Sequence, residues 1–360
     1  MIKNVLIENF KSLQKFQIPL ERLNVFIGPN GTGKSNIINS LEFFKELLSV
    51  NPWYEPLHRN GFSRFMYGFD DYGQIRFKIE FEVNVNKKVQ SLTYDLAIEK
   101  TGSGDYNIAI EYLHAENNQY IHVHNSKGKY CSFSKGRQQI PIDLKLNILN
   151  NLRFNPNEMF YHPIFDYFNS WFFCHPIPSL MKKSFKEANS TFKLDKEGEE
   201  FDLVLDSIAR IHADNFQAIK NILQTMFPEF QDMVFRIVDK RVQLEWKDKY
   251  FKKAMLKNSL SDGILKILYL LALVYNPEPP PVIAIEEPEN YIHPGFLQQF
   301  ADLLIKASQK MQIIVTSHSP VLVEFLPEKY LFLIDKKEGR TVWQRFSAQK
   351  KNRVNLKKNC

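Results

Sequence analysis

The sequence predicts an α/β fold with a mixed-sheet core, an antiparallel β subdomain and an inserted helical lobe. Three short apolar runs have the length and composition of buried core strands, at residues 23–27, 282–285 and 312–317. Apolar and polar side chains alternate through much of residues 74–134, which is typical of an antiparallel sheet. Residues 140–227 are predicted to be mostly helical, with apolar side chains at helical spacing in residues 201–208 and 218–226.

Composition and charge narrow the class of protein. No apolar run is long enough to span a membrane, and residues 1–4 do not begin a signal peptide. The three cysteines are isolated and form no CxxC pair, which indicates a reducing cytoplasm rather than a structural zinc site. The net charge of +7 weakly favours a polyanionic partner.

Residues 28–35 (Gly-Pro-Asn-Gly-Thr-Gly-Lys-Ser) follow the first core strand and fit a phosphate-binding loop. Glycines let successive N–H groups point at phosphate oxygens, and a helix predicted to begin near Lys34 adds partial positive charge. Lys34 is expected to reach the β- and γ-phosphates, and the Ser35 hydroxyl to bind Mg²⁺. A glycine-rich turn that binds nothing is the alternative. The predicted nucleotide-binding residues here are Asn30, Gly31, Thr32, Gly33, Lys34, Ser35 and Asn36.

Two carboxylates, Glu286 and Glu287, end the strand predicted at residues 282–285. Glu286 is expected to hold Mg²⁺, directly or through water. Glu287 is placed to polarise an attacking water as general base. Phosphoryl transfer depends mainly on positioning and charge neutralisation, which these groups provide. Two solvated acids at a strand end are the alternative.

Two further segments are weaker signals. Residues 258–264 (Asn-Ser-Leu-Ser-Asp-Gly-Ile) precede a predicted helix at residues 265–274 and form either a second anion site or a plain helix cap. His318 follows the strand predicted at residues 312–317, where a lone histidine is usually structural.

All four segments, in this order, resemble the ATP-binding-cassette class of ATPases. Residues 28–35 resemble its Walker A motif, residues 260–263 (Leu-Ser-Asp-Gly) its signature, residues 286–288 (Glu-Glu-Pro) its Walker B motif and His318 its switch histidine, with residues 289–294 at the D-loop position. The chain is most similar to the RecF/SMC/OLD branch. In residues 7–12 (Ile-Glu-Asn-Phe-Lys-Ser), Lys11 stands where that branch brings a basic residue towards the nucleotide.

The resemblance implies an ATPase with ATP and Mg²⁺ as cofactors, hydrolysing ATP to ADP and phosphate. It implies a head-to-tail homodimer, or a higher oligomer, in which one copy's Ser261, Asp262 and Gly263 face the other copy's nucleotide. Glu287, His318 and Lys34 are the implied catalytic residues, and Ser35 and Glu286 the implied metal ligands. Three residues depart from the usual pattern: Asp262, Ile264 and Glu286. The Q-loop glutamine is left unassigned, since Gln74 falls in a predicted strand and is a poor candidate.

On this basis the chain divides into five segments. These are an ATPase core N-terminal part at 1–73, an antiparallel β subdomain at 74–139, a helical insertion at 140–230, an ATPase core C-terminal part at 231–346 and a basic tail at 347–360. The tail is either a frayed solvated end or a segment that contacts phosphates or a partner. His122 and His124 are expected on an exposed strand rather than at a metal.

The function hypothesis is a cytoplasmic ATPase that controls a DNA-directed effector, in phage defence or DNA repair, with a DNA contact and no membrane. About 40 residues follow Ser319, too few for the Toprim nuclease domain of OLD proteins, so a nuclease or toxin is expected on a separate chain. The alternative is a slow-turnover scaffold or sensor that inhibits or positions such a partner. A transporter subunit is disfavoured, because about 225 residues separate the phosphate loop from the signature.

Overall fold

The computed structural model describes residues 1–48, 61–69, 73–100, 106–115, 130–132, 138–140, 149, 161–183 and 190–346. They belong to two compact units: the described parts of Met1–Trp171 and Glu328–Cys360 form the first, and Phe172–Pro327 forms the second. The strand expected to carry His122 and His124 and the basic tail at residues 347–360 lie outside the described residues. No helix in the described part of the chain is long and apolar enough to cross a membrane.

The described residues form strands and α-helices in both units. The strands of the first unit are β1 (Ile2–Phe10), β2 (Leu13–Pro19), β3 (Leu23–Ile27), β4 (Gln74–Val85), β5 (Lys88–Lys100), β6 (Tyr106–Ala115), β7 (Tyr130–Ser132), β8 (Gln138–Ile140), β15 (Leu331–Lys337) and β16 (Arg340–Arg345). Those of the second unit are β9 (Phe172–Cys174), β10 (Phe230–Val238), β11 (Arg241–Asp248), β12 (Met255–Leu256), β13 (Val282–Glu286) and β14 (Gln312–Ser317). The helices are α1 (Lys34–Leu48), α2 (Tyr161–Asn169), α3 (Pro178–Met181), α4 (Phe201–Ile211), α5 (Ala213–Met226), α6 (Asp262–Val274), α7 (Leu297–Ser308) and α8 (Pro320–Glu324).

The first unit contains the predicted antiparallel sheet, which is confirmed and is larger than predicted. Its strand order is β2-β1-β4-β5-β6, so the two opening strands join it. Alternate residues of β4 are buried, as the period of two requires. Two of them, Phe77 and Phe81, contact Phe44 of α1 and Phe168 of α2, with ring centroids 5.5 and 4.7 Å apart. This aromatic core holds α1 against the sheet.

A second set of strands in the first unit consists of β3, β15 and β16. All five residues of β3 are buried. Strand β15 pairs parallel with β3 and antiparallel with β16, which makes this part of the unit mixed. Phe26 of β3 packs against Phe332 of β15, which packs against Trp343 of β16. The strand that leads into the phosphate loop is therefore backed by the hairpin formed from β15 and β16.

In the second unit β13 lies between β9 and β14, and all three are parallel. Strand β9 lies within the segment at residues 140–227, which the sequence predicts to be mostly helical. Its aromatic residues favour a strand, and the prolines at 176 and 178 prevent a continuing helix. Strands β10 and β11 pair antiparallel as a hairpin. The helix expected at residues 265–274 is α6, which begins three residues earlier.

Candidate functional site

The phosphate loop joins β3 to α1, as the sequence predicts, and two of its glycines are required by close approach of the β15–β16 hairpin. A Cβ on Gly28 would lie 2.2 Å from the Ile334 carbonyl oxygen, and one on Gly33 would lie 2.0 Å from Thr341 Oγ1. Gly33 also has a φ of 100°, in the left-handed region that other residues avoid. No larger residue fits at either position without displacing the hairpin.

Lys34 is turned inward onto its own loop. The Lys34 residue is only 5% exposed. Its Nζ donates to the carbonyl oxygens of Gly28, at 2.7 Å, and Pro29, at 3.0 Å. The Thr32 hydroxyl also donates to the Pro29 carbonyl, at 2.9 Å. Loop carbonyls thus satisfy the ammonium and hold it at the start of α1.

The remaining predicted residues of this loop differ in their surroundings. Asn30, Gly31 and Ser35 are exposed, as a ligand contact requires. Asn36 instead points its amide at the protein, where Nδ2 donates to Ser12 Oγ at 2.7 Å. Lys11 has a left-handed φ of 47°, and its Nζ lies 5.4 Å from the centre of the Phe10 ring.

In the second unit, the end of β13 presents the two predicted carboxylates. Glu286 is the last residue of the strand, and the Glu287 N–H donates to the Thr316 carbonyl of β14 at 2.9 Å. Glu287 has a left-handed φ of 44°, an uncommon conformation for a residue with a Cβ. Such outliers are concentrated at functional sites.

Glu287 and His318 are in direct contact. His318 Nδ1 lies 3.2 Å from Glu287 Oε1, and Asn290 Nδ2 donates to Glu287 Oε2 at 2.9 Å. The side chains of His318 and Glu287 are 45% and 31% exposed, so this carboxylate is oriented by two neighbours yet open to solvent. An oriented, accessible carboxylate is what a general base for water requires.

Glu289 has a role that the sequence does not reveal. It is buried, and its Oε1 accepts from Ser317 Oγ at 2.6 Å and from the His318 N–H at 3.2 Å. It therefore fastens the end of β14 to the segment after β13 and fixes the backbone that carries His318.

The signature residues have contacts within the second unit. Ser261 caps α6 by accepting from the Ile264 N–H at 3.3 Å, so the helix-cap interpretation holds in this structure. Asp262 pairs with Lys182 at 2.7 Å. A Cβ on Gly263 would lie 2.5 Å from the Tyr291 carbonyl oxygen, which explains the glycine by close packing.

A polar cleft of about 390 Å³ lies beside the carboxylates Glu286 and Glu287. Two of the residues that line it, His175 and Lys266, were not predicted from the sequence. His175 follows β9, whose Cys174 pairs with Ile285, so His175 and Glu286 continue from neighbouring strand ends. Burial lowers the pKa of Lys266, against the attraction of Glu289, Asp262 and Glu287. Its Nζ lies 5.0 Å from the centre of the Tyr291 ring.

The described residues include no group of three histidine, cysteine, aspartate or glutamate side chains placed to hold a metal ion. Of the two predicted metal ligands, Glu286 offers a hard carboxylate donor and Ser35 a hydroxyl oxygen, and both suit Mg²⁺ when water and phosphate oxygens complete its coordination.

Residues 23–324 match a family model described as "AAA domain, putative AbiEii toxin, Type IV TA system". The chain belongs to this family. A solved SMC head bound to the C-winged helix domain of ScpA matches 97% of this chain and 99% of its own, with a TM-score of 0.61 and 15% identity. An SMC head with an extended coiled coil, bound to the C-terminal domain of ScpA from Pyrococcus furiosus, matches 98% of each chain, with a TM-score of 0.57 and 13% identity.

These similarities confirm the predicted fold class. The chain has the fold of an SMC-like, ABC-type P-loop ATPase head, with a mixed sheet, an antiparallel sheet and added helices.

Proposed function

We propose that this protein binds ATP with Mg²⁺ and hydrolyses it to ADP and phosphate. The observation that carries the proposal is the Glu287–His318 contact at the open end of β13, where a strained backbone presents an oriented carboxylate. Family membership and the phosphate loop support the same activity.

For binding, the N–H groups of residues 30–36 receive phosphate oxygens and Lys34 supplies a positive charge. Lys11 approaches the nucleotide from the turn between β1 and β2. Ser35 and Glu286 would hold Mg²⁺, which neutralises charge on the phosphates when bound. The exposed Ser35 and Glu286's place at the strand end support these roles.

For hydrolysis, Glu287 accepts a proton from the attacking water. Asn290 occupies one carboxylate oxygen and His318 the other, so the carboxylate cannot rotate freely. His318 would also respond to the γ-phosphate. Catalysis of this kind arises mainly from positioning and electrostatics rather than from covalent chemistry.

We further propose that ATP joins two copies head to tail and that Ser261, Asp262 and Gly263 of one copy face the nucleotide of the other. Because the closed dimer binds ATP more tightly than the separate copies do, ATP shifts the population towards the dimer. Hydrolysis then lets the two copies separate. The output is control of a separately encoded nuclease or toxin near DNA, in an OLD-like defence or repair system. Support comes from the family description, which names a toxin, and from solved SMC heads bound to ScpA domains. This step is an analogy at the level of fold.

The deciding experiment is the mass of the purified protein by light scattering, with and without ATP and Mg²⁺. The Glu287→Gln variant blocks turnover and should accumulate as a dimer with ATP, whereas Lys34→Met should stay at its nucleotide-free mass. If the mass of the Glu287→Gln protein is the same with and without ATP, the dimer proposal is contradicted.

The same variant addresses the sensor alternative. If turnover drives the output, Glu287→Gln traps the closed form and abolishes effector control. If nucleotide occupancy alone is sufficient, effector control persists in Glu287→Gln and is lost in Lys34→Met.

A further inference from the structure

A partly buried row of polar side chains links the phosphate loop to two distant parts of the first unit. Asn36 Nδ2 on α1 donates to Ser12 Oγ at 2.7 Å, and Ser12 Oγ lies 2.6 Å from Thr341 Oγ1 on β16. Thr341 Oγ1 donates to the Thr32 carbonyl at 2.9 Å. The backbone reinforces the link, since the Thr341 N–H donates to the Ser12 carbonyl at 2.9 Å.

The direction of every hydrogen bond in this row follows from the donor count. A threonine hydroxyl has one proton, and the Thr32 carbonyl can only accept, so the Thr341 proton points at Thr32. Ser12 must therefore donate to Thr341, and Asn36 donates to Ser12. The row runs one way, from the first turn of α1 to the Thr32–Gly33 peptide of the phosphate loop, and hydrogen bonds in such a chain reinforce one another.

The end of the row fixes the orientation of one peptide group. Because the C=O and N–H of a planar trans peptide point in opposite directions, holding the Thr32 carbonyl towards Thr341 turns the Gly33 N–H away from β16. The two hydroxyls lie close against Gly33, since a Cβ there would be 2.0 Å from Thr341 Oγ1 and 2.7 Å from Ser12 Oγ. Thr341 itself is only 5% exposed.

We propose that Ser12 and Thr341 are positioning residues for phosphate binding: their hydroxyls set the orientation of the Thr32–Gly33 peptide, so that the Gly33 N–H faces the bound phosphates. This proposal rests on the nucleotide binding proposed above. It makes the β15–β16 hairpin, whose Thr341 is 309 positions from Thr32 in sequence, a working part of the nucleotide site.

The test compares Thr341→Val, which keeps the shape and removes the hydroxyl, with Thr341→Ser, which keeps the hydroxyl. Thr341→Val should weaken ATP and ADP binding by about tenfold, the order expected for one buried hydrogen bond, because both nucleotides share the phosphates that the loop cradles. Thr341→Ser should bind within about twofold of the wild type, since the bond is retained. Affinities are measured with a fluorescent ATP analogue.

Thr93→Val is the matched control, because it makes the same chemical change on β5 of the same unit, at a half-buried position. Thermal unfolding of all variants separates a local effect from loss of the fold. Normal nucleotide affinity in Thr341→Val, or equal weakening in Thr341→Ser, overturns the proposal. Should Thr341→Val not fold, Ser12→Ala breaks the same row and should weaken binding in the same direction.

A wild-type protein that binds no ATP would overturn the proposed function rather than the positioning role. In that case amide hydrogen exchange of nucleotide-free protein decides the second question. Faster exchange at residues 28–40 in Thr341→Val than in Thr93→Val supports positioning of the loop by Thr341, and unchanged exchange contradicts it.

Discussion

In the phosphate loop, the Lys34 residue is 5% exposed and donates to two carbonyls of its own loop, whereas Glu287 at the end of β13 has a side chain that is 31% exposed. The loop backbone is held by glycines and by Thr341, while Glu287 has the uncommon φ of 44°. Lys34 is thus buried in a tightly packed loop, whereas Glu287 is partly exposed on a strained backbone. Under the proposed function, this contrast assigns ATP binding to a rigid loop and hydrolysis to an accessible carboxylate.

The largest expected effects separate binding from hydrolysis. Lys34→Met should weaken ATP binding on the order of 100-fold, since it removes a buried charged donor. Glu287→Gln should lower the turnover rate by about 100- to 10,000-fold, the contribution of a general base, with affinity for ATP retained. Phosphate release and equilibrium binding measure the two quantities. Equal loss of binding in both variants would contradict the division of roles.

Glycine substitutions test the rigidity of the loop. Gly33→Ala should lower the free energy of unfolding by about 2–4 kcal/mol, because of the clash with Thr341 and the left-handed φ. Gly31→Ala is the matched control: it also has a left-handed φ, but a Cβ there meets nothing within 4 Å. Its cost should be about 1–2 kcal/mol, from backbone strain alone. Urea unfolding that ranks Gly31→Ala as the more damaging change would refute the close-approach argument.

Backbone strain at Glu287 can be measured by comparing alanine with glycine at the same position. Glu287→Gly should be more stable than Glu287→Ala by about 1 kcal/mol, because glycine adopts a left-handed φ without a penalty. At Glu286, which is not among the residues of positive φ, the order should reverse. Both pairs are compared by urea unfolding. The same order at both positions would mean that Glu287 is not strained.

The smallest expected effect concerns Cys174, which ends β9. The thiol is buried, and burial raises its pKa well above the ordinary value. Because the thiolate is the reactive form, we expect no alkylation of Cys174 by iodoacetamide in the native protein, and rapid alkylation in urea. Peptide-level mass spectrometry distinguishes it from the other two cysteines. Rapid native labelling would show that β9 opens readily and that the cleft beside β13 is not rigid.

Local patterns predicted most of the elements on which this contrast depends. The glycine spacing of residues 28–35 and the buried run before it placed the loop between a strand and a helix, and the alternation of residues 75–83 placed β4 in an antiparallel sheet. These features arise from neighbours in sequence. The Ser261 cap was also visible locally, as one of two interpretations.

What the sequence could not supply are contacts between distant residues. Thr341 and Ser12 are 329 positions apart, and an ordinary threonine in a hairpin carries no signal that it meets a glycine of the phosphate loop. His175 was missed for a related reason. Strand β9 is only three residues long, within a segment that read as helical, and its significance depends on pairing with β13.

The row from Asn36 through Ser12 and Thr341 to the Thr32 carbonyl contains an amide, two hydroxyls and a peptide group. None of these groups gains or loses a proton between about pH 5 and pH 9. The geometry that this row imposes on the phosphate loop is therefore the same in acidified and alkaline surroundings. A pH dependence of phosphate binding in that range must originate in ionisable side chains outside the row.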